Sequence, residues 1–396
     1  MQIGTAPGYG PAWLRLGFRP FFLVAGGYAV VSMLVWLAIY PAVLRLPLAG
    51  LAGATWHGHE MIFGYGMAVV AGFLLTAVRN WTGVQTLRGN ALLFSVLFWL
   101  LARVFLLAGG PSYLAAAACF DVLFGATVAA AVSAPILSTR QWHNLAIAGK
   151  VVLLAVSNLV FYLGAAGILE HGVRWGLYSG LYLLVALVLT IARRVLPFFI
   201  ERGVGGQVRL YNNRWVDIGS LVLFVLFWMA ELARPDQVQG AVLAGLLAVL
   251  NSVRLVGWHT PALWKRPLLW ILYLAYAAII AGFVLKTAAY VGGLSATLAV
   301  HAFAVGGIGL MTLGMMSRVA LGHTGRDVLA PPAALRPTFL LLVAALLVRV
   351  LLPVLMPSHY ALWIVLSQGL WVLAFVLFLL VYTPVLTRPR VDGLDG

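Results

Sequence analysis

The stretch Trp56-His57-Gly58-His59-Glu60 places two imidazoles and a carboxylate ahead of the apolar run MIFGYGMAVVAGFLLTAV. The chain has eight His and ten Asp plus Glu in 396 residues, so this density of polar groups needs a reason. Neutral imidazole suits two roles: it ligates a metal or haem iron, or it hydrogen-bonds backbone and water at a helix end. A carboxylate alongside fixes the tautomer of a ligating ring. Three further groups of the same character follow. His301 opens HAFAVGGIGLMTLGMMSR; Arg318, His323, Thr324, Arg326 and Asp327 lie in SRVALGHTGRD; His259 lies in GWHTPALW. The segment AVRNWTGVQTL adds Arg79, Asn80 and Trp81.

Helical geometry limits what the first pair can do. Residues i and i+2 point to nearly opposite sides, so His57 and His59 share one metal only if the turn is irregular. His57 shares a face with Glu60, Met61 and Gly64, which makes Glu60 its expected tautomer-fixing partner. Gly58, Gly64, Gly66 and Gly72 on one segment, and Gly306, Gly307, Gly309 and Gly314 on the other, permit close helix packing or leave room for a flat macrocycle. For His57, His59 and His301, ligation and helix-end bonding both stay open. His143, His171 and His359, in or beside loops, read as solvated. Gly-His-Thr-Gly reads as a tight turn, and its imidazole, flanked by arginines, suits a metal or acidic groups such as haem propionates.

These residues must be held by membrane helices. Hydrophobic residues make up 63% of the chain and charged residues 9%, against about 25% charged in soluble domains. Apolar runs near 20 residues recur at about 20–40, 58–78, 90–108, 113–134, 145–168, 175–197, 215–233, 238–256, 267–288, 294–316, 336–356 and 360–384. Each is long enough to cross about 30 Å of hydrocarbon. The fold expected is an all-α polytopic transmembrane bundle in one membrane domain, with a cytoplasmic segment 1–19, a short tail 385–396 and no soluble domain. The longest connection is 198–214. The first run is too long for a cleaved signal and reads as a signal anchor.

The net charge of +15 reports topology. With the N-terminus inside, all but six of the 25 Lys and Arg fall on the cytoplasmic side, the exceptions being Arg45, Arg103, Arg174, Arg234, Lys286 and Arg349. That bias gives N-in and C-in, with the lipid bilayer rather than nucleic acid as the basic chain's partner. Cys119 stands alone, which excludes an internal disulfide and a Cys-based cluster. Arg103 and Asp121 flank the 109–112 turn at similar depth and read as a buried structural ion pair rather than a proton pathway. Asp217 follows Arg214 at i+3, so local pairing accounts for it. An echo of FRPFF (18–22) in VLPFF (195–199), and of Trp56-His57 in Trp258-His259, is too weak to establish a repeat.

The pieces FRPFF, WHGHEMIFGYGMAVVAGFLLTAVRNWTG, RRVLPFF and HAFAVGGIGLMTLGMMSRVALGHTGR, in this order, resemble the NnrS family of bacterial membrane proteins from about residue 15 to the last span. The resemblance implies an inner-membrane protein containing haem (haem b) and copper, tied to denitrification and relief of nitric oxide stress. It carries onto His57, His59, Glu60, Arg79, Asn80, Trp81, Arg194, His301, Arg318, His323 and Arg326. Relatives are expected to carry a histidine where this chain has Tyr273, so the copper site here is altered or completed by His259. Nitric oxide is small, uncharged and lipid-soluble, so a site acting on it needs no polar channel. Met61 or Met311 would suit copper beside imidazoles. Quinol or another membrane redox protein would serve as electron donor. The alternatives are a secondary transporter of a metal or small anion, which calls for broken helices and a charged central site, and a haem or nitric oxide sensor without turnover.

Overall fold

The structure is a computed structural model that describes residues 10–205 and 208–394. Parts of the expected segment 1–19, connection 198–214 and tail 385–396 lie outside that range. The protein is 81% helical, and among the described residues no strand forms. Among the described residues, twelve helices are long and apolar enough to cross a membrane: α1 Phe18–Ile39, α2 Gly53–Thr82, α3 Gly89–Ala108, α4 Tyr113–Ser138, α5 Trp142–Ala165, α6 Gly172–Gly203, α7 Arg214–Ala233, α8 Val238–Gly257, α9 Pro267–Gly292, α10 Ala296–His323, α11 Leu335–Leu355 and α12 Pro357–Thr387. The protein is a multi-pass membrane protein of the expected all-α class. Helices satisfy every backbone group internally, which is why apolar runs of this length have no other stable form in lipid.

Local chemistry sets the ends. Asn213 caps α7 by accepting the Trp215 amide at 2.8 Å. Pro267 begins α9, at the position where proline costs no hydrogen bond. Gly83 closes α2 with φ +72°, a conformation in which a Cβ is strained. Two boundaries differ usefully from the sequence expectation. Helix α2 starts at Gly53, so the Trp-His-Gly-His-Glu stretch lies inside the helix rather than at its mouth. Helix α6 runs to Gly203 through Pro197, which shortens the connection read as 198–214.

Helices α2 and α10 share a departure from α geometry. Each turns π-helical immediately after a histidine, over Glu60–Gly66 following His59 and over Ala302–Leu310 following His301. Such widened turns are rare overall and frequent at functional sites.

The chain clusters into two compact units. The first is Met1–Leu183, Met316–Ala330 and Phe375–Gly396; the second is Leu184–Met315 and Pro331–Ala374. In the first, the Phe-Arg-Pro-Phe-Phe segment is a packing motif, with Phe21 and Phe22 filling the space over Gly72. Its arginine, Arg19, is fully buried and donates to the carbonyls of Leu386 (3.0 Å) and Arg388 (2.7 Å), closing the C-terminal end of α12.

In the second unit, α9 packs on the π-helical stretch of α10. A Cβ at Gly306 would sit 2.5 Å from Cβ of Ala278, and one at Gly307 2.5 Å from Cγ1 of Ile279. Gly306→Ala is therefore expected to destabilise the protein by about 1–3 kcal/mol through overpacking. Gly27→Ala, at a position where a Cβ would meet nothing within 4 Å, leaves the stability unchanged. Thermal unfolding in mild detergent reads both.

Candidate functional site

In the first unit the ionisable groups of four helices converge. His59 and Glu60 come from α2, Arg103 from α3, Asp121 from α4, and Asn158 and Tyr162 from α5, while Tyr28 of α1 reaches in from the side. His59, Glu60, Arg103 and Asp121 are each no more than 3% exposed. The guanidinium is the hub. Its Nη1 donates to Glu60 Oε1 at 2.9 Å and its Nη2 to Asp121 Oδ2. The Tyr28 hydroxyl donates to Glu60 Oε2, and the Tyr162 hydroxyl to Asp121 Oδ2 at 2.9 Å. His59 Nδ1 lies 2.8 Å from Glu60 Oε1, and Nε2 lies 2.9 Å from Asn158 Oδ1 and 3.5 Å from Asp121 Oδ2.

The sequence expectation of an Arg103–Asp121 pair holds, but the pair is half of a larger network that also takes in His59 and Glu60. Glu60 serves His59 rather than His57. The reason lies in the partner: Arg103 draws the Glu60 carboxylate to α3, and the same Oε1 lies 2.8 Å from His59 Nδ1. The His57 ring instead stacks on Trp36, with centroids 4.8 Å apart and planes 8° from parallel. Gly64 makes room for the network, because a Cβ there would meet Tyr28 Cε1 at 2.7 Å and Arg103 Nη1 at 2.9 Å. Cβ atoms at Gly72, Gly309 and Gly314 would likewise meet side chains, Phe22 at 2.9 Å, Trp371 at 2.8 Å and Ile271 at 2.8 Å, so these glycines serve close packing.

His301, in the second unit, has a different setting. Its Nδ1 lies 2.7 Å from the Thr297 carbonyl, which accepts only, so Nδ1 carries the hydrogen and Nε2 the lone pair. Arg349 Nη2 sits 3.2 Å from that Nε2, and its guanidinium carbon lies 5.7 Å from the Tyr360 ring centroid. A ring fixed through Nδ1–H to a carbonyl keeps Nε2 as the acceptor, the tautomer in which a histidine ligates a metal, and here that nitrogen accepts from Arg349. An arginine beside it matches an acidic group such as a propionate. His259 accepts from Trp264 Nε1 at 3.2 Å, and its ring lies 5.9 Å from Tyr273, whose hydroxyl donates to the Leu255 carbonyl at 3.1 Å. Tyr273 thus stands beside the histidine expected to complete its site.

The remaining candidates other than Arg194 lie in the first unit, and several gather at the α10 terminus. His323 Nε2 lies 3.5 Å from Asn80 Nδ2, its ring lies 5.7 Å from Phe18, and its carbonyl accepts from Arg390 at 2.9 Å. The charges of Arg390, Arg79 and Arg19 all reach it. Gly325 completes the turn with φ +76°, as the Gly-His-Thr-Gly spacing predicts. Asp392 is ion-paired with Arg390, and that hydrogen-bonded pairing lowers its carboxyl to about 2. Arg318 and Arg326 are half-buried on this stretch, the Trp81 carbonyl accepts from Gln141, and Arg194 is exposed on α6. Asp217 pairs with Arg193 at 2.7 Å and with Arg254 at 2.9 Å, in place of the expected Arg214.

Among the described residues, no three His, Cys, Asp or Glu side chains are arranged to hold a metal ion. In the second unit the residue that fits an imidazole-ligated group is His301; in the first unit, separately, it is His323, an imidazole among arginines. The His59 and His301 rings are each hydrogen-bonded through both nitrogens; a ligand at His301 has to displace only Arg349, whereas one at His59 has to break into the buried network.

No curated protein matches this chain. The family model described as NnrS protein matches residues 12–390, nearly the whole length, and the chain belongs to the NnrS family.

Proposed function

We propose that this protein acts in nitric oxide metabolism or nitrosative-stress relief in the bacterial inner membrane, binding or converting nitric oxide or its iron adducts at a site holding haem b, with copper as a second metal. The observation that carries the reading is His301, whose Nδ1–H is fixed on the Thr297 carbonyl and whose Nε2 faces Arg349. His301 would hold the iron and Arg349 would face a propionate; at the α10 terminus, His323 with Arg79, Arg318 and Arg326 would serve a second group. When bound, haem iron supplies direct coordination of nitric oxide and one-electron chemistry. The chain's own part is to hold that imidazole in one tautomer. Electrons would come from quinol or a partner membrane protein.

The protein purified in mild detergent, after expression with iron and copper supplied, is expected to show a b-type spectrum that changes on dithionite reduction and again on addition of nitric oxide. His301→Ala should lose the spectrum and the bound iron together, while His171→Ala keeps both. A folded wild type with neither haem nor copper would overturn the redox reading. Transport of a metal or small anion is the second reading, favoured by the buried charged cluster and by the π-helical interruptions of α2 and α10.

A further inference from the structure

The network around Arg103 has an unbalanced charge as it is ordinarily ionised. Two carboxylates, Glu60 and Asp121, face one guanidinium, and a neutral His59 leaves one negative charge over. All four groups are buried within membrane spans, where a net charge is least tolerated. The hydrogen-bond directions say where a balancing proton goes. Both oxygens of Glu60 already accept, Oε1 from Arg103 and Oε2 from Tyr28, so His59 Nδ1 has to donate to Oε1. His59 Nε2 faces Asn158 Oδ1 and Asp121 Oδ2, which are acceptors as well. An imidazole that donates from both nitrogens is the cation. Charge count and bond direction agree.

A second place for the same proton is at hand. Asp121 Oδ1 is buried without a hydrogen-bond partner, on a side chain 1% exposed, while Oδ2 of the same carboxylate receives both Arg103 and Tyr162. We propose that this cluster is a proton-binding site, holding one exchangeable proton shared among His59, Glu60 and Asp121. The groups that face it are Tyr28 from α1, Arg103 from α3, and Asn158 and Tyr162 from α5, and the rings of Phe63 and Phe161 flank the imidazole at 5.1 and 4.3 Å. Because the three acceptors are coupled, the proton belongs to the cluster and not to one residue. The site stands independently of any metal: it serves a redox protein that takes up protons with electrons, and it serves a transporter driven by protons.

The test uses the full-length protein in lipid nanodiscs at pH 8, labelled with 15N in the histidine rings. At that pH exposed imidazoles and carboxyls are deprotonated. One of the eight histidines, identified by its absence in His59→Gln, is expected to show two protonated ring nitrogens. Alternatively the proton rests on a carboxyl and appears as an infrared carboxylic acid band that shifts in D2O and is lost in Glu60→Gln or Asp121→Asn. Asp121→Asn removes one negative charge and with it the need for the proton, so either signal should vanish while the other seven histidine signals persist. Should Asp121→Asn not fold, Glu60→Gln puts the same question. A neutral His59 with no protonated carboxyl in the wild type overturns the proposal. So does a cationic His59 that is indifferent to removal of either carboxylate.

Discussion

Arg103→Leu is expected to destabilise the protein by about 3–5 kcal/mol, the usual cost of removing one partner from a buried ion pair. The loss comes from what remains. Glu60 and Asp121, both buried, would lose the guanidinium that bridges them and be left with at most the one proton of the cluster to offset two carboxylates. Unfolding in mild detergent, followed by tryptophan fluorescence, measures it. Charge and packing separate in one further variant, because neutralising the carboxylates as well (Arg103→Leu with Glu60→Gln and Asp121→Asn) should recover most of the loss. If the triple variant is no more stable than the single one, the arginine acts through the packing of its stem. Arg103→Lys should fall between, since an ammonium lacks the planar fork that serves two carboxylates at once.

Lys286→Met is expected to cost a similar amount in the second unit. Lys286 Nζ lies 2.6 Å from Glu231 Oε2 and 2.6 Å from Asp236 Oδ1. The two carboxylates are not equivalent, since Glu231 is 2% exposed within α7 while the Asp236 side chain is 62% exposed beyond its end. Taking away the ammonium leaves Glu231 as a buried charge with its counter-cation gone, at about 3–5 kcal/mol. Asp236→Asn alone should cost under about 1 kcal/mol, because water already screens that contact. Glu231→Gln added to Lys286→Met should restore most of the stability. Detergent unfolding curves of the three variants decide this, and equal losses for Asp236→Asn and Lys286→Met would refute the distinction.

The twelve spans were legible because hydrocarbon imposes one rule on every residue of a run, and composition alone reveals it. Arg103 shows the limit of that rule. It is a charge inside an apolar run, yet α3 is continuous and the guanidinium is buried. Its pairing with Asp121 was readable from the short turn between their helices. The other hydrogen bonds between helices in the network join residues 32, 41, 43 and 99 positions apart, and periodicity does not say which face of a distant helix will meet which. A usable signal existed nonetheless. Glu60 lies seven residues into α2 from Gly53 and Asp121 eight into α4 from Tyr113, while Arg103 lies five before the end of α3 at Ala108, so all three sit at comparable distances from a helix end. Depth matching of the few intramembrane charges would have found the group. Asp217 teaches the opposite lesson, because nearness in sequence to Arg214 suggested a pairing that Arg193 and Arg254 take instead.

The π-helical turns after His59 and His301 bear on which length changes these helices tolerate. A regular helix turns through about 100° per residue, so losing one residue from α1 would swing everything beyond the deletion onto another face. A stretch whose hydrogen bonds reach five residues instead of four already holds one residue more than a regular turn needs. Within Glu60–Gly66 or Ala302–Leu310 a residue can be dropped and the turn can relax to ordinary pitch, leaving the flanking segments in phase. The positions closest to the charged network and to His301 are in this sense the ones where the chain's length is least constrained by its architecture.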